Sequence, residues 1–579
     1  MQIRKNHFRE ALKKVLSWKV RRSMGTYVNP GNESFSNDIA GKDYVDKTGL
    51  LTVLNRNIAT PSRYFAVSRA RRFGKTMAAG MIDAYYSRGC QSGELFAPYE
   101  IAKDEDFEKH LNQYNVVHFD VGSFLNRADS PEDVVPFIDR TLLGEMLAEF
   151  PCLKDGEVPD TPAAMNRVYQ HDGIRFVVVI DEYDCITRDA ADNEELVLAF
   201  LKYLRGFFKT EESRHFLALG YITGILPIKK MRGESSLNNF SEYTMIHPES
   251  LVTYFGFTQQ ELEELCGRYA FSPGDMGSWY DGYYMYASEP GKNMEEGEEN
   301  EDGSVRLVDG RLKRLWHIYN PNSVVEALQM DALRSFWKNT GGFESLRDFI
   351  TMNYAGLKDD VVQMLTGGRC RVDITSFQND VTHFKSKDDV LTCLIHMGYF
   401  GYDARTGEAF IPNREVAEVF EAAVKTGEWD DVGDALRHSD KLLRAVWAMD
   451  EDKVAQIIAA SHQDYASILE YHDENSLALA IMVSFYTARN QYRVIRELPA
   501  GKGFADIAFI PKKQGGCPAM LVELKWNRSA RAAIRQIKDR NYAGVLSDYH
   551  GKILLVGINY TKKTKKYICR IEEIHDQLL

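Results

Sequence analysis

The chain has 579 residues, 44% of them hydrophobic and 27% charged, with a formal net charge of −12. This length exceeds a single hydrophobic core and predicts about three or four domains, while the composition excludes a wholly disordered chain. No apolar run is long enough to span a bilayer, since the best candidate, Phe176-Val177-Val178-Val179-Ile180, is strand-sized.

The eight cysteines form no Cys-x-x-Cys pair and no Cys/His cluster at zinc spacing. That usage points to reduced thiols in a cytoplasmic protein. The negative sum leaves local basic patches open, and nucleic-acid binding depends on those patches.

Residues 1–23 are basic, with Leu12, Val15, Leu16 and Trp18 among lysines and arginines. They lack the apolar core and cleavage site of a secretory signal, and are expected to be an extension before a fold beginning near Met24. An amphipathic surface helix is the alternative. Residues 44–223 alternate short apolar strands with helical stretches, as in an α/β protein with a parallel sheet. Strands are expected at 63–67, 115–120, 175–180 and 216–223, and a helix at 76–87. The last two strands are near-continuous apolar runs, which suits strands covered on both faces.

After Tyr254 the chain reads as aromatic-rich helices through Trp279-Tyr280-Asp281-Gly282-Tyr283. Residues 289–314 carry Gly, Glu and Asp and are expected to be a solvated loop. A helix at 388–396 leads into Gly398-Tyr399-Phe400-Gly401-Tyr402, a turn at Arg405-Thr406-Gly407 and a return strand ending at Ile411-Pro412-Asn413. Helix, hairpin, helix resembles a winged-helix module, and without a basic recognition helix the structural-connector reading is favoured. From about residue 468 the order is α-β-β-β-α-β, closing with a strand at 552–559.

Gly74-Lys75-Thr76 sits at a strand-to-helix junction. It supplies backbone N–H groups, a lysine for the β/γ-phosphates and a hydroxyl for Mg²⁺, with the helix N-terminus adding partial positive charge. The strict P-loop pattern wants glycine at 69, where this chain has Arg69. Downstream, an apolar strand ends in Asp181-Glu182. In P-loop enzymes such a first acid helps hold Mg²⁺ and the second orients or deprotonates water. Thr223 closes the fourth strand as a candidate polar sensor, and Lys229, Lys230 and Arg232 are candidate charge stabilisers.

Ser68-Arg69-Ala70-Arg71-Arg72-Phe73-Gly74-Lys75-Thr76 resembles the arginine-rich phosphate loop of the bacterial AAA-ATPase-like family. Tyr27-Val28-Asn29-Pro30-Gly31-Asn32, Tyr44-Val45-Asp46-Lys47-Thr48, the Trp279 motif and Tyr319-Asn320-Pro321 match as well. The resemblance implies that Arg69 is a family trait. It also implies that Lys75, Thr76, Asp181 and Glu182 keep these roles, Glu182 in catalysis; Arg71, Arg72, Gly74 and Thr223 are further expected nucleotide contacts. The same family commonly carries a nuclease-like C-terminal domain.

In that C-terminal part, Asp506 opens one strand, and Glu523 and Lys525 share one face of the next. A hairpin would bring the three together. Two carboxylates and a lysine are the components of Mg²⁺-assisted phosphodiester hydrolysis. Glu474 lies on the preceding helix, and Gln536 and Tyr542 on or just after the following one. That helix region carries Arg528, Arg531, Arg535, Lys538 and Arg540, either as a phosphate-backbone contact or as a solvated face. The arrangement resembles the PD-(D/E)xK nuclease superfamily, which implies catalytic roles for Asp506, Glu523, Lys525 and Gln536 and metal ligation by Glu474, Asp506 and Glu523.

The expected architecture is a multidomain α/β protein. It comprises the extension 1–23, an AAA-like P-loop ATPase domain with a parallel sheet at 24–255 and a helical lid region at 256–345. A helical and winged-helix-like connector at 346–465 and a restriction-endonuclease-like α/β domain at 466–579 complete it. The expected cofactors are ATP and Mg²⁺, with Mn²⁺ an alternative at the nuclease site. The expected partner is nucleic acid, DNA ahead of RNA, with no membrane association; an oligomer is compatible with this reading. The leading function is an ATP-dependent or ATP-gated nuclease. A nucleotide-switched binding or signalling protein competes with it, and a nucleotide kinase is disfavoured by the C-terminal carboxylates. If the fold begins near Met24, a chain lacking residues 1–23 should express and melt like the full chain. A large loss of melting temperature would show that the basic segment is docked.

Overall fold

The computed structural model describes residues 25–228, 237–288, 305–308, 311–337, 342–352, 354–377, 384–426, 430–465, 478, 481–500, 503–512, 517–540 and 551–574. The extension 1–23 and residues Lys229, Lys230, Arg232, Glu474 and Tyr542 lie outside the described residues. The described residues fall into two compact units. One runs up to Leu333 and adds Val372–Gly407; the other joins Arg334–Arg371 to everything from Glu408. No described helix is long and apolar enough to cross a membrane.

The first unit is built on β1 (Tyr64–Ser68), β2 (Asn115–Asp120), β3 (Phe176–Asp181), β4 (Leu217–Gly224) and β5 (Ser241–Tyr243). They form one parallel sheet in the order β2-β3-β4-β1-β5. Its two faces explain the unbroken apolar runs. Along β3, Phe176, Val178 and Ile180 enter one core with Phe200 and Leu204, while Val177 and Val179 enter another with Ile82 and Tyr85. Strand β5, only Ser-Glu-Tyr and incompletely buried, carries no apolar pattern to reveal it.

Beyond this sheet come β6 (Phe257–Thr258), β7 (Tyr283–Ala287), β8 (Val305–Val308) and β9 (Arg311–Tyr319), a second sheet in which β9 pairs antiparallel with the other three. This corrects the expectation of a loop throughout 289–314, whose final residues form the β8–β9 hairpin. Val305 and Leu307, then Leu312, alternate with cations, a period-2 signal masked by the acidic stretch before it. Helix Gln259–Tyr269 follows β6 with a reciprocal Thr258/Glu261 capping box.

Later in the chain lie β10 (Cys370–Arg371), helix Lys387–His396, β11 (Gly401–Asp403), β12 (Glu408–Phe410) and helix Arg414–Thr426, with β10 antiparallel to β12. The division between the two units falls at Gly407/Glu408, inside the helix–hairpin–helix stretch.

The second unit ends in β13 (Tyr492–Ala500), β14 (Gly503–Pro511), β15 (Ala519–Trp526), β16 (Ile553–Thr561) and β17 (Lys566–Ile574), ordered as numbered. All neighbours are antiparallel except β15 and β16, and helix Ala530–Asp539 lies in the crossover between those two. Strand β17, paired with β16, lies beyond the strand at which the sequence pattern ends. The turn before β17 has no glycine or asparagine, and Lys565 adopts the left-handed conformation (φ 51°) that such residues usually mark.

One face of this sheet packs Met520, Val522 and Leu524 with Leu442 and Val446. The other packs Leu521 and Leu555 with Ile534 and Ile537 of the crossover helix. Close approach of that helix depends on Gly557, where a Cβ would stand 2.4 Å from the Ala530 carbonyl oxygen. Gly557→Ala should therefore cost about 1–3 kcal/mol through overpacking. Urea unfolding checks this, and an unchanged midpoint would show that the helix has room to move.

Candidate nucleotide and metal sites

The phosphate loop joins β1 to helix Lys75–Tyr86, whose N-cap Gly74 is left-handed (φ 87°). Thr76 Oγ1 donates to Asp181 Oδ2 at 2.7 Å, and Thr223 Oγ1 donates to Asp181 Oδ1 at 2.8 Å. The buried Asp181 carboxylate also receives the Glu182 backbone N–H at 2.9 Å. Helix, β3 and β4 are thus tied to one anion by charge-assisted bonds. Thr223, expected from the sequence as a polar sensor at the nucleotide, spends its donor on Asp181. It is fully buried, beside Gly224 and Ile225, which line the cavity described below. Lys75 Nζ donates to the Arg69 and Ala70 carbonyls at 2.9 and 3.0 Å. Burial pushes its pKa down to about 8, against the pull of Asp181.

Arg69, standing where a glycine was wanted, is fully buried. Its Nη1 donates to Tyr243 O at 2.8 Å and to Ser68 O at 3.1 Å, fastening β5 to the start of the loop. Burial lowers its pKa to about 9. Phe73 packs with Val252, Tyr283 and Ile318, so the loop is anchored in the core of the second sheet. Gly256 N donates to Phe73 O at 3.2 Å, and Asn320 Nδ2 donates to Arg71 O at 3.3 Å. Asn320 also caps helix Pro321–Met330.

A cavity of about 750 Å³ runs along this loop. Arg71, Arg72, Gly74, Lys75 and Thr76 line it with Asp181, Glu182 and Arg188, and so do Phe35, Tyr44, Tyr254 and Val325. Cationic loop, acidic strand end and apolar rings in one cleft match the parts of a nucleoside triphosphate.

Glu182 is itself left-handed (φ 50°) and lies against Gly122, where a Cβ would stand 2.4 Å from its Oε2. Burial raises its pKa, reinforced by Asp120 and opposed by Arg188. Asp120 closes β2 and caps the next helix through Gly122 N. Arg188 is held by Asp184 at 2.9 Å and by Asp189 at 2.8 Å. Sequence reasoning missed Asp120 and Arg188. Asp120 ends a strand in acid just as Asp181 does, a usable signal; Arg188 is four residues beyond Asp184, indistinguishable from an ordinary helical ion pair.

At the other site, β14 and β15 pair Ile507 with Val522, and one more step places Asp506 opposite Glu523 on the face covered by helix Ala530–Asp539. Asp506 Oδ2 accepts the Leu524 N–H at 2.7 Å, and Lys525 Nζ donates to Glu523 Oε1 at 2.9 Å. Gln536 Nε2 donates to the same Glu523 oxygen. Asp506, Glu523, Lys525 and Gln536 therefore converge, while Glu474 lies outside the described residues. Glu523 is 1% exposed and its Oε2 has no hydrogen-bond partner. Burial first, and Asp506 second, push its pKa up to about 7, against the opposing pull of Lys525. Among the described residues no three potential ligands group together.

Residues 31–232, which hold the phosphate loop and the Asp181-Glu182 strand end, match the family model for a predicted AAA-ATPase. Residues 473–569, which hold the converging carboxylates, match the PD-(D/E)XK nuclease superfamily. The chain carries an AAA-ATPase-like domain followed by a PD-(D/E)XK nuclease superfamily domain. A comparison with curated proteins gives no match. The AAA-ATPase-like match ends at 232, before Asn320 and Gly256, so the contacts those residues make to the loop come from outside the matched span.

The PD-(D/E)XK domain makes a pH prediction. Glu523 has a folded pKa of about 7, raised above its ordinary value of 4.5. The native state binds the proton more tightly, so this contribution to stability is full below about pH 4.5 and is lost as pH rises through about 7. Glu523→Gln should therefore stabilise the metal-free protein by about 1–3 kcal/mol at pH 8 and leave it nearly unchanged near pH 4.5. Denaturant melts at the two pH values measure the difference, and equal shifts at both would rule out an ionisation effect.

Proposed function

We propose that the protein is an ATP-binding and ATP-hydrolysing enzyme whose nucleotide state gates metal-dependent cleavage of nucleic-acid phosphodiesters. The observation that carries the nuclease half is the Glu523 oxygen left without a partner beside Asp506. A buried carboxylate facing a second one is costly unless a cation lies between them, so the donor set fits a divalent ion. Asp506 and Glu523 would hold Mg²⁺ or Mn²⁺, which when bound supplies Lewis acidity toward the phosphate and its attacking water. Gln536 and Lys525 fix one Glu523 oxygen and leave the other free. The Lys525 ammonium, also nearly buried, is placed to offset charge at the scissile phosphate.

In the nucleotide half, Thr76 and Asp181 would hold the Mg²⁺ of ATP, and Lys75 would exchange its two loop carbonyls for phosphate oxygens. Glu182, with a raised pKa beside Asp120, suits acceptance of a proton from water. Arg71 and Arg72 border the same cavity and add positive charge.

Cleavage of mixed DNA and RNA substrates with Mg²⁺ or Mn²⁺, with and without ATP, tests the reading. Asp506→Asn should abolish cleavage and leave ATP binding intact. Lys75→Ala should weaken ATP affinity roughly tenfold or more. Glu182→Gln should bind ATP and turn it over slowly. Cleavage that persists in Asp506→Asn would remove the nuclease assignment. Nucleic acid bound but never cut by the wild type would leave a nucleotide-switched binding protein, and cleavage indifferent to ATP would remove the gating.

A further inference from the structure

Against the chain's net charge of −12, residues 517–574 hold twelve Lys and Arg and only five Asp and Glu. Much of that surplus is gathered by two loops. The segment after β15 contributes Arg528, and the turn between β16 and β17 contributes Lys562, Lys563 and Lys565. β15 and β16 run parallel with Lys525 opposite Asn559, so both loops leave the sheet at the end where Lys525 stands.

The two loops are laced together. Arg528 N donates to Asn559 Oδ1 at 2.9 Å, Lys562 N to Asn527 Oδ1 at 2.8 Å, and Asn527 N to Tyr560 O at 2.8 Å. Arg531 and Arg535 follow on the exposed side of the crossover helix, whose Gln536 touches Glu523.

Elsewhere on this domain cations find acids: Lys552 pairs with Glu573, Lys538 with Glu572 and Arg570 with Glu451. Among the described residues, Arg528, Arg531, Arg535, Lys562, Lys563 and Lys565 pair with no carboxylate. Six exposed, uncompensated cations on a braced platform repel one another, and a polyanion relieves that repulsion while releasing its own counterions.

We propose that the turn 562–565, with Arg528 and the exposed arginines of helix Ala530–Asp539, is a clamp for the phosphodiester backbone of a polynucleotide beside the Asp506–Glu523 site. The inference rests on reading that site as a nuclease centre. The clamp contacts phosphates and not base edges, so it sets affinity and register without sequence preference.

The test uses the full-length protein in EDTA and a fluorescein-labelled duplex of arbitrary sequence, about 30 base pairs long, with anisotropy titrations across KCl concentrations. Lys562→Glu/Lys563→Glu/Lys565→Glu should bind about tenfold or more weakly at about 0.1 M KCl, with a salt slope shallower by about 2–3. Its melting temperature should match the wild type, because all three side chains are exposed. The milder Lys562→Gln/Lys563→Gln/Lys565→Gln variant should show a smaller loss in the same direction. Single-stranded DNA and RNA of equal length should lose affinity in the same variants.

Unchanged affinity and slope for every probe, or no wild-type binding to any, would overturn the clamp. So would an effect confined to the protein's sedimentation state, which would make the patch a self-association surface. Asp506→Asn separates the two readings: it should lose cleavage and keep binding with the wild-type salt slope. If the lysine variants bind normally while Asp506→Asn still abolishes cleavage, the clamp fails and the nuclease centre stands.

Discussion

A single carboxylate holds the nucleotide-binding half together. Asp181 takes a hydroxyl from the helix behind the phosphate loop and another from the adjacent strand, and it closes a strand buried on both faces. Neither hydroxyl has another acceptor as strong, and the anion has little solvent to fall back on. Strand, helix and loop are therefore fixed relative to one another before any nucleotide arrives. The Phe73 ring and the Asn320 amide hold the loop as well, through the second sheet's core and the Arg71 carbonyl.

The C-terminal centre obeys the converse rule. Its two carboxylates are brought together by strand pairing; one ammonium and two N–H donors reach them, and Glu523 Oε2 is left without a hydrogen-bond partner. Burial first, and the facing Asp506 second, raise the Glu523 pKa. A fold that keeps such a pair gives up stability at neutral pH unless a cation is present, which makes the arrangement expensive as mere architecture.

Much of this was legible in the sequence because the signals were local. The apolar run 176–180 ending in Asp181-Glu182 could only be a buried strand with an acidic mouth, and Glu523-Leu524-Lys525 had to place its charged pair on one face. What escaped was non-local or unpunctuated. Strand β5 is defined by what Arg69 reaches, and β17 lies beyond a turn of lysines.

The short motifs that supported the family resemblance gained physical jobs only in three dimensions. Asn29 is left-handed and its Oδ1 accepts the Val116 N–H at the edge of β2. Lys47 binds Glu261 at 2.6 Å, and Asn320 reaches the phosphate loop. Arg69 could be recognised as a departure from the P-loop pattern, but its partner Tyr243 is 174 residues away and no local rule connects them.

The order in which the chain builds its two compact units constrains how the protein can have been assembled. The backbone passes from one unit to the other after Leu333, returns after Arg371 and leaves again after Gly407. Two domains simply appended end to end would need one joint; this chain has three. A cut anywhere from Leu333 to Glu408 therefore divides at least one of the units between the two pieces, and a single crossover cannot exchange either unit whole. The two units are interleaved along the chain, so neither can be lifted out as one contiguous piece.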